Sequence, residues 1–399
     1  MAKEDQSAGP LGGSLQRRDF LKLSSMTLLG MGLADFASTL RAEGTPPASK
    51  APSLKAFFGE PIAYKDLHGD SWTPTWADDG NLYSIADDTL GPKDAPISSN
   101  LAVYRITGDQ PPEIHAEVVN PMPEFGKITE VKPEDGACWK ASGLTCVDGV
   151  LYLAASRNRY MDGTGAFNIQ QVWDSSIIKS SDHGKTWSAA PKLGHAMFPG
   201  HTFANPSFVQ YGRDGKGTKD GSDKFVYAVS NDGTWNNGNS MTLGRVPRDR
   251  IANLDPHDWE FVHGFEKGYV PVWKPRHDFA LYTFRAPGRT GVAGVHYLAG
   301  LDRYITPQWY YPNLNETPSS AVWKHSRFDL YEGPAPWGPW TLFHTQDFEP
   351  QGFYNPTIPS KFISQDGRGF WIFAAGDFST SDHPYYTINM IPVTLEVAS

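Results

Sequence analysis

One pattern recurs five times along the chain, and it limits the folds open to it. The pattern is a turn, often Asp-Gly, followed by a short strand with an aromatic near its centre. It appears as Asp79-Gly80-Asn81-Leu82-Tyr83-Ser84-Ile85, then as Asp148-Gly149-Val150-Leu151-Tyr152-Leu153. It returns as Asp223-Lys224-Phe225-Val226-Tyr227-Ala228-Val229, as Leu301-Asp302-Arg303-Tyr304-Ile305, and as Asp366-Gly367-Arg368-Gly369-Phe370-Trp371-Ile372-Phe373. Counted from each Asp, the spacings are 69, 75, 79 and 64. Repetition at a fixed period signals stacked supersecondary units. A strand is expected before each copy, at 71–77, 143–147, 206–211, 292–298 and 358–364, and a third after it, at 101–106, 176–180, 241–246, 328–331 and 387–391. Trp187, Trp259 and Trp340 mark a fourth strand in three units. Four strands in about 70 residues is the arithmetic of a propeller blade. The expected fold is all-β, a five-bladed β-propeller with four antiparallel strands per blade. Chance likeness of hairpins in a β-sandwich is the alternative, and the near-regular spacing argues against it.

Composition agrees: 13 Trp, 17 Tyr, 22 Phe, 39 Gly and 32 Pro in 399 residues suit short strands joined by turns. Past residue 55 only 248–254 resembles a helical turn. The net charge of −9 is well mixed, and the absence of a basic face excludes nucleic acid as a partner.

The N-terminus carries an address. Leu15-Gln16-Arg17-Arg18-Asp19-Phe20-Leu21-Lys22 resembles the bacterial twin-arginine translocation motif, and a short apolar stretch and Leu40-Arg41-Ala42 follow. A basic start to an ordinary helix is the alternative. Residues 1–42 are read as a signal peptide, 43–55 as a flexible linker and 56–399 as one domain. The export machinery is then a partner, the destination is the periplasm or the exterior, and no stable membrane anchor remains. A monomer without cofactor or metal is expected. Outside the cytoplasm Cys138 and Cys146 could form a disulfide or stay as two buried thiols on neighbouring strands.

Ser180-Ser181-Asp182-His183-Gly184-Lys185-Thr186-Trp187 matches the Asp-box pattern of sialidases, a turn in which the Asp caps backbone and the Trp packs between blades. One box and five units do not make a sialidase. More broadly, the chain resembles the domain of unknown function 4185 group, related to five-bladed glycoside hydrolases and including arabinan-cleaving enzymes. The resemblance is carried by Asp70-Ser71-Trp72-Thr73-Pro74-Thr75-Trp76, Asn205-Pro206-Ser207-Phe208, Leu243-Gly244-Arg245-Val246-Pro247, Pro336-Trp337-Gly338-Pro339-Trp340 and Tyr354-Asn355-Pro356-Thr357-Ile358-Pro359. It implies a carbohydrate-active fold without fixing the substrate.

Blade geometry sorts the polar residues. Turns between first and second strands, with Asp79, Asp148 and Asp366, are read as structural. The other face gathers Asp66, His68, Asp70, Asp87, Asp88, Glu134, Asp135, Lys140, Arg157, Arg159, Asn205, Asp232, Trp235, Arg276, His277, Asp278, Trp309, Tyr354 and Asp377. Glycosidic cleavage needs two carboxyl groups, one of them protonated. Asp70, Asp88 and Asp135 are the catalytic candidates. The resemblance to family 43 glycosidases implies a base at Asp70 and a pKa-tuning acid at Asp135; a turn cap and a solvated loop acid are the plain alternatives. Where that family has a Glu acid in blade three, this chain has Asn205, so Asp88 is the preferred replacement. Trp72, Arg157, Asn205, Asp232, Arg276, His277, Trp309 and Tyr354 are the candidate substrate-binding residues. His68, His201 and His277 lack local metal-ligand spacing. The leading expectation is an exported glycoside hydrolase acting on a polysaccharide or glycoconjugate. A non-catalytic glycan-binding propeller is one alternative. The other is a uronate lyase in which Arg157, Arg159 and His277 share the funnel with Tyr354.

Overall fold

The computed structural model describes residues 54–131, 134–160, 170–314, 322–378 and 384–398; the twin-arginine segment lies outside them. Every regular element among them is a β-strand or a three-residue 3-10 turn. The strands fall into four hydrogen-bonded sheets, and one of these is two meanders joined by a parallel pair, Val209 beside Val295 and Gln210 beside His296.

The first meander pairs Leu67–Asp70 and Thr75–Trp76 with Leu82–Pro92, then runs through Ser99–Thr107 to His115–Asn120. The second runs Cys138–Val147, Val150–Tyr160, Gln170–Ser180 and the two-residue Phe198–Pro199. The third runs Ser207–Gln210, Phe225–Asn231, Gly238–Pro247, Glu260–Glu266 and Val270–Lys274, with Tyr282–Thr290 also on Gly238–Pro247. The fourth runs Val295–Leu298, Arg303–Tyr310, Ser326–Gly333 and Thr341–Phe348. The last runs Tyr354–Thr357, Gly369–Ala375 and Asn389–Val397, and is completed by Leu54–Phe58 from the other end of the chain.

Burial falls from the first strand of each meander to the last. Cys138–Val147 is buried at all ten positions, and Ser207–Gln210, Val295–Leu298 and Tyr354–Thr357 at all four. Outer strands such as Thr341–Phe348 are largely wet. A strand covered on both faces needs apolar or small residues throughout, which is what the first strands carry. The first strands also form a closed ring. Thr75 Oγ1 accepts from Cys146 N at 3.0 Å, Ser207 Oγ donates to the Ser142 carbonyl at 2.6 Å, His296 Nε2 accepts from Ile358 N at 3.3 Å, and Thr357 Oγ1 donates to the Trp72 carbonyl at 3.0 Å. The Val209–Val295 pairing supplies the remaining link. Gly143 permits one close approach, since a Cβ there would lie 2.6 Å from the Pro206 carbonyl oxygen. One narrow cavity touches first-strand segments of all five meanders: Thr73, Ser142, Ser207, Gly294 and Thr357 among others. Four apolar clusters fill the gaps between successive meanders, with Trp72, Tyr104, Trp309 and Phe373 in the one that joins the last to the first.

Several expectations are corrected. The strand at 54–58 begins inside the segment read as linker, because Leu54 and Ala56 alternate inward. The last first strand is Tyr354–Thr357 rather than 358–364, where Pro359 leads into the turn Ser360–Phe362. Four strands per unit is not uniform: the third meander has more, and the second ends in a two-residue strand. Trp187 lies in a turn rather than a strand, while Trp259 and Trp340 stand immediately before fourth strands. Residues 251–253 form a 3-10 turn within the expected helical segment. Cys138 and Cys146 are buried thiols on one strand, not on neighbours, and are not bridged to each other. Eight residues of extended chain separate them by about 26 Å, well beyond disulfide reach.

Candidate active site

The Asp-bearing turns between first and second strands come out as backbone caps. Asp79 accepts from Asn81 N, Asp366 from Arg368 N at 3.0 Å, and Asp148 pairs with Arg248 and Lys216. In the Ser180-to-Trp187 turn, Asp182 accepts from Thr186 N and Oγ1, Gly184 takes φ 86°, and Trp187 Nε1 donates to the Gly184 carbonyl. Those hydrogen bonds hold the Asp182 carboxyl down to about 2.

The opposite strand ends differ. Asp70 and Asp87 are paired across the first two strands of the first meander, and both are buried. Asp70 Oδ2 accepts from Tyr354 Oη at 2.9 Å, across from the last meander, while Oδ1 is buried without a hydrogen bond. Burial, then the neighbouring charge of Asp88, push the Asp70 carboxyl up to about 7, against the pull of Lys140, Tyr354 and Tyr386. Asp87 is raised too, chiefly by burial, although Oδ1 accepts from Ala141 N at 3.0 Å. Asp88 ion-pairs with Lys140 from the second meander, and its Oδ1 accepts from Thr129 N at 3.2 Å. Ser71, Asp88, Asn355 and Asp377 all have positive φ, between 29° and 52°. Non-glycine residues in that region are strained, and such strain clusters at functional sites. This group can hold a proton on one carboxyl while an ion-paired carboxylate stands beside it, which is the pairing that acid–base catalysis uses.

The other candidates separate. Asp135 is tied to Arg157, whose Nε and Nη2 fork onto Asp174; Asp135 Oδ1 caps Ala137 N. Arg157 is thereby paired with two carboxylates, as an ion pair rather than a sugar clamp. Trp72 and Trp309 are fully buried and offer no ring face: their Nε1 atoms donate to the Gly69 and Val292 carbonyls. Trp309 packs with Trp235, Tyr354 and Tyr311 in a ring cluster that Phe378 extends. Asn205 is buried against Ser230, Asn231 and Thr234, and Asp232 caps Asn239 N, so both shape the loop around Trp235. Arg276 and His277 sit at the third meander's outer side, the one paired with Asp278 and the other bonded to the Pro199 carbonyl. Arg159 lies over Trp173. The arginines, His277 and Tyr354 of the lyase reading therefore do not converge. His68 and His201 are engaged by Leu90 N and the Val172 carbonyl, and no group of three metal-ligating side chains forms among the described residues.

Sequence reasoning singled out Asp70, Asp87, Asp88, Lys140, Asp377 and Tyr354, which the fold brings toward the first–last junction. It missed the buried Tyr311 and the half-buried Tyr386, whose ionisation feels the Asp70 charge. Only their aromatic character beside loop segments marked them.

No family model and no curated relative matches the chain. Among solved structures it is similar to a putative hydrolase from Bacteroides ovatus, at 12% identity and TM-score 0.48, over 84% of this chain and 87% of that one. It is similar to a xylan beta-1,4-xylosidase from Bacillus halodurans, at 11% identity and TM-score 0.46, over 83% of this chain and 54% of that one, about half the xylosidase's length. A GH43_1 enzyme from Xanthomonas citri shares 14% identity at TM-score 0.44, over 84% of this chain and 89% of that one. At that distance they say nothing of what this chain does.

Proposed function

We propose that the five meanders are blades around one axis and that the protein hydrolyses a glycosidic bond at the junction of the first and last blades. The observation that carries this reading is Asp70: a buried carboxyl, hydrogen-bonded by Tyr354, with its proton held to about 7 beside Asp87 and Asp88. A carboxyl that keeps its proton near neutrality suits the general acid rather than the base expected from the resemblance. Asp88, ion-paired with Lys140, is the carboxylate partner, and Asp135 is set aside because Arg157 holds it. Export by the twin-arginine route is part of the proposal, supported by Arg17-Arg18, and Lys at both positions is expected to retain the precursor in the cytoplasm.

The test is reducing-end release from plant and bacterial wall polysaccharides, with Asp70→Asn run beside the wild type. Release that collapses in the variant, without an ultraviolet-absorbing unsaturated product, is expected. Release untouched by the variant removes Asp70 from the chemistry, and an absorbing product makes the protein a lyase. One observation favours a second reading, a glycan-binding propeller: Asp70 is only 7% exposed. Binding of a glycan without release from any substrate would select it.

A further inference from the structure

Between the third and fourth meanders, where their second strands end, lies a pocket of about 440 Å3. Its charged lining is Arg289 and Arg327, and no carboxylate lines it among the described residues. Arg289 donates from Nε and Nη2 to Tyr310 Oη at 3.1 and 2.9 Å, with Asp329 Oδ2 3.4 Å from Nε. Its Nη1 has no protein acceptor among the described residues. Arg327 is anchored through Nε to Asp347 at 2.7 Å and also interacts with Tyr310. One phenol thus gathers two guanidiniums on one wall.

The opposite wall is built and unsatisfied. Asn237 clasps Tyr311 through two hydrogen bonds, Nδ2 to its carbonyl at 2.9 Å and Oδ1 from its N–H at 3.1 Å. Beside it Asn236 is 3% exposed, and both ends of its amide lack any hydrogen-bond partner among the described residues. Tyr311 Oη is likewise buried and unpartnered. Buried side-chain amides are almost always satisfied, so an amide with neither end met points to an absent ligand. A guanidinium pair matches a carboxylate, and an amide offering both donor and acceptor matches sugar hydroxyls. Tyr311 belongs to both places: it lines this pocket, and Asp70 and Asp377 act electrostatically on its hydroxyl.

We propose that this pocket is a subsite for an acidic sugar, a uronate whose carboxylate takes Arg289 and Arg327 and whose hydroxyls satisfy Asn236. The proposal rests on the glycan reading and names its substrate class. It differs from the arginine cluster expected from the sequence, which was built on Arg157 and Arg276 rather than on Arg289 and Arg327.

The test is calorimetric titration of the full chain with trigalacturonate, its methyl ester, a glucuronate-bearing xylo-oligosaccharide and inorganic sulfate. At least one uronate is expected to bind at least about tenfold more tightly than the ester, and Arg327→Gln and Asn236→Leu to weaken it by at least about tenfold each. Arg327 is partly exposed, so its variant should melt as the wild type does. Equal binding of acid and ester, no binding of either uronate, or wild-type affinity in both variants overturns the proposal. Sulfate binding as tightly as the uronates reduces the site to a bare anion site and overturns it as well. Acid-selective binding lost in the variants, with no glycan ever cleaved, keeps the subsite and removes the hydrolysis reading. Cleavage of neutral glycans with no binding of either uronate does the reverse.

Discussion

The two ends of the strands use the same residue type in opposite ways. At the turns between first and second strands Asp79, Asp148 and Asp366, and after a third strand Asp182, accept hydrogen bonds or pair with cations, and their carboxyls are lowered. At the other end Asp70 and Asp87 are buried and raised. A satisfied carboxylate stabilises the fold where it stands. A buried one kept near others costs stability, and such arrangements persist at sites that use them. Strand end and burial together, rather than strand end alone, separate the two kinds: Asp66 and Asp278, on the same face as Asp70, are exposed and lowered by Lys93 and Arg276.

The largest expected effect is on chemistry. Asp70→Asn should lower glycan cleavage by about 10²–10⁴-fold, the range for losing a general acid, measured as kcat/KM on the best substrate of the panel. A smaller loss would break the contrast between the two ends.

Tyr354→Phe should sharpen it. The phenol lowers the Asp70 pKa, so its removal raises it further. With Asp70 as acid, activity falls as pH rises through that pKa. The variant's alkaline limb is therefore expected to move to higher pH, with a loss of about tenfold. A limb that moves to lower pH would contradict the assignment.

Asp182→Ala and Asp366→Ala should do the opposite: each is expected to lower the denaturant midpoint slightly and leave cleavage unchanged. The Asp182 carboxyl is depressed to about 2, so its contribution is present above the unfolded value near 4 and lost as pH falls toward 2. The smallest effect is expected from reductant, which should not shift the melting temperature, because Cys138 and Cys146 stand too far apart on one strand to be bridged to each other.

Much of this was legible in the sequence because strand repeats and turn chemistry are local. The five Asp-led copies locate the second strands, and the Ser180-to-Trp187 turn forms from the residues that define it. Asp70 could be placed because it opens the first repeat. What stayed hidden depends on partners distant in the chain. Trp72 and Trp309 read as sugar platforms, since nothing local tells whether a strand-end ring faces solvent or the next sheet. Whether Arg157 is a clamp or an ion pair stayed open in the sequence, where the ion pair was preferred, because its fork to Asp174 depends on the hairpin register between residues 17 apart. The closing strand Leu54–Phe58 pairs with the far end of the chain, a contact no short motif announces. Asn236, Arg289 and Arg327 carry no motif, and only the gap between two meanders brings them together.

The central claim is that Asp70 keeps its proton in the folded protein to about pH 7, and it can be tested without knowing the substrate. The measurement is the melting temperature of wild type and Asp70→Asn across pH 4 to 8. A carboxyl whose folded pKa is raised contributes its full stability below the unfolded value and loses it as pH rises through the folded one. The two proteins are therefore expected to melt close together at pH 4, with the Asn variant gaining several degrees over the wild type as pH rises through 7. A difference that does not change with pH, or a wild type that becomes the more stable protein at pH 8, would contradict it.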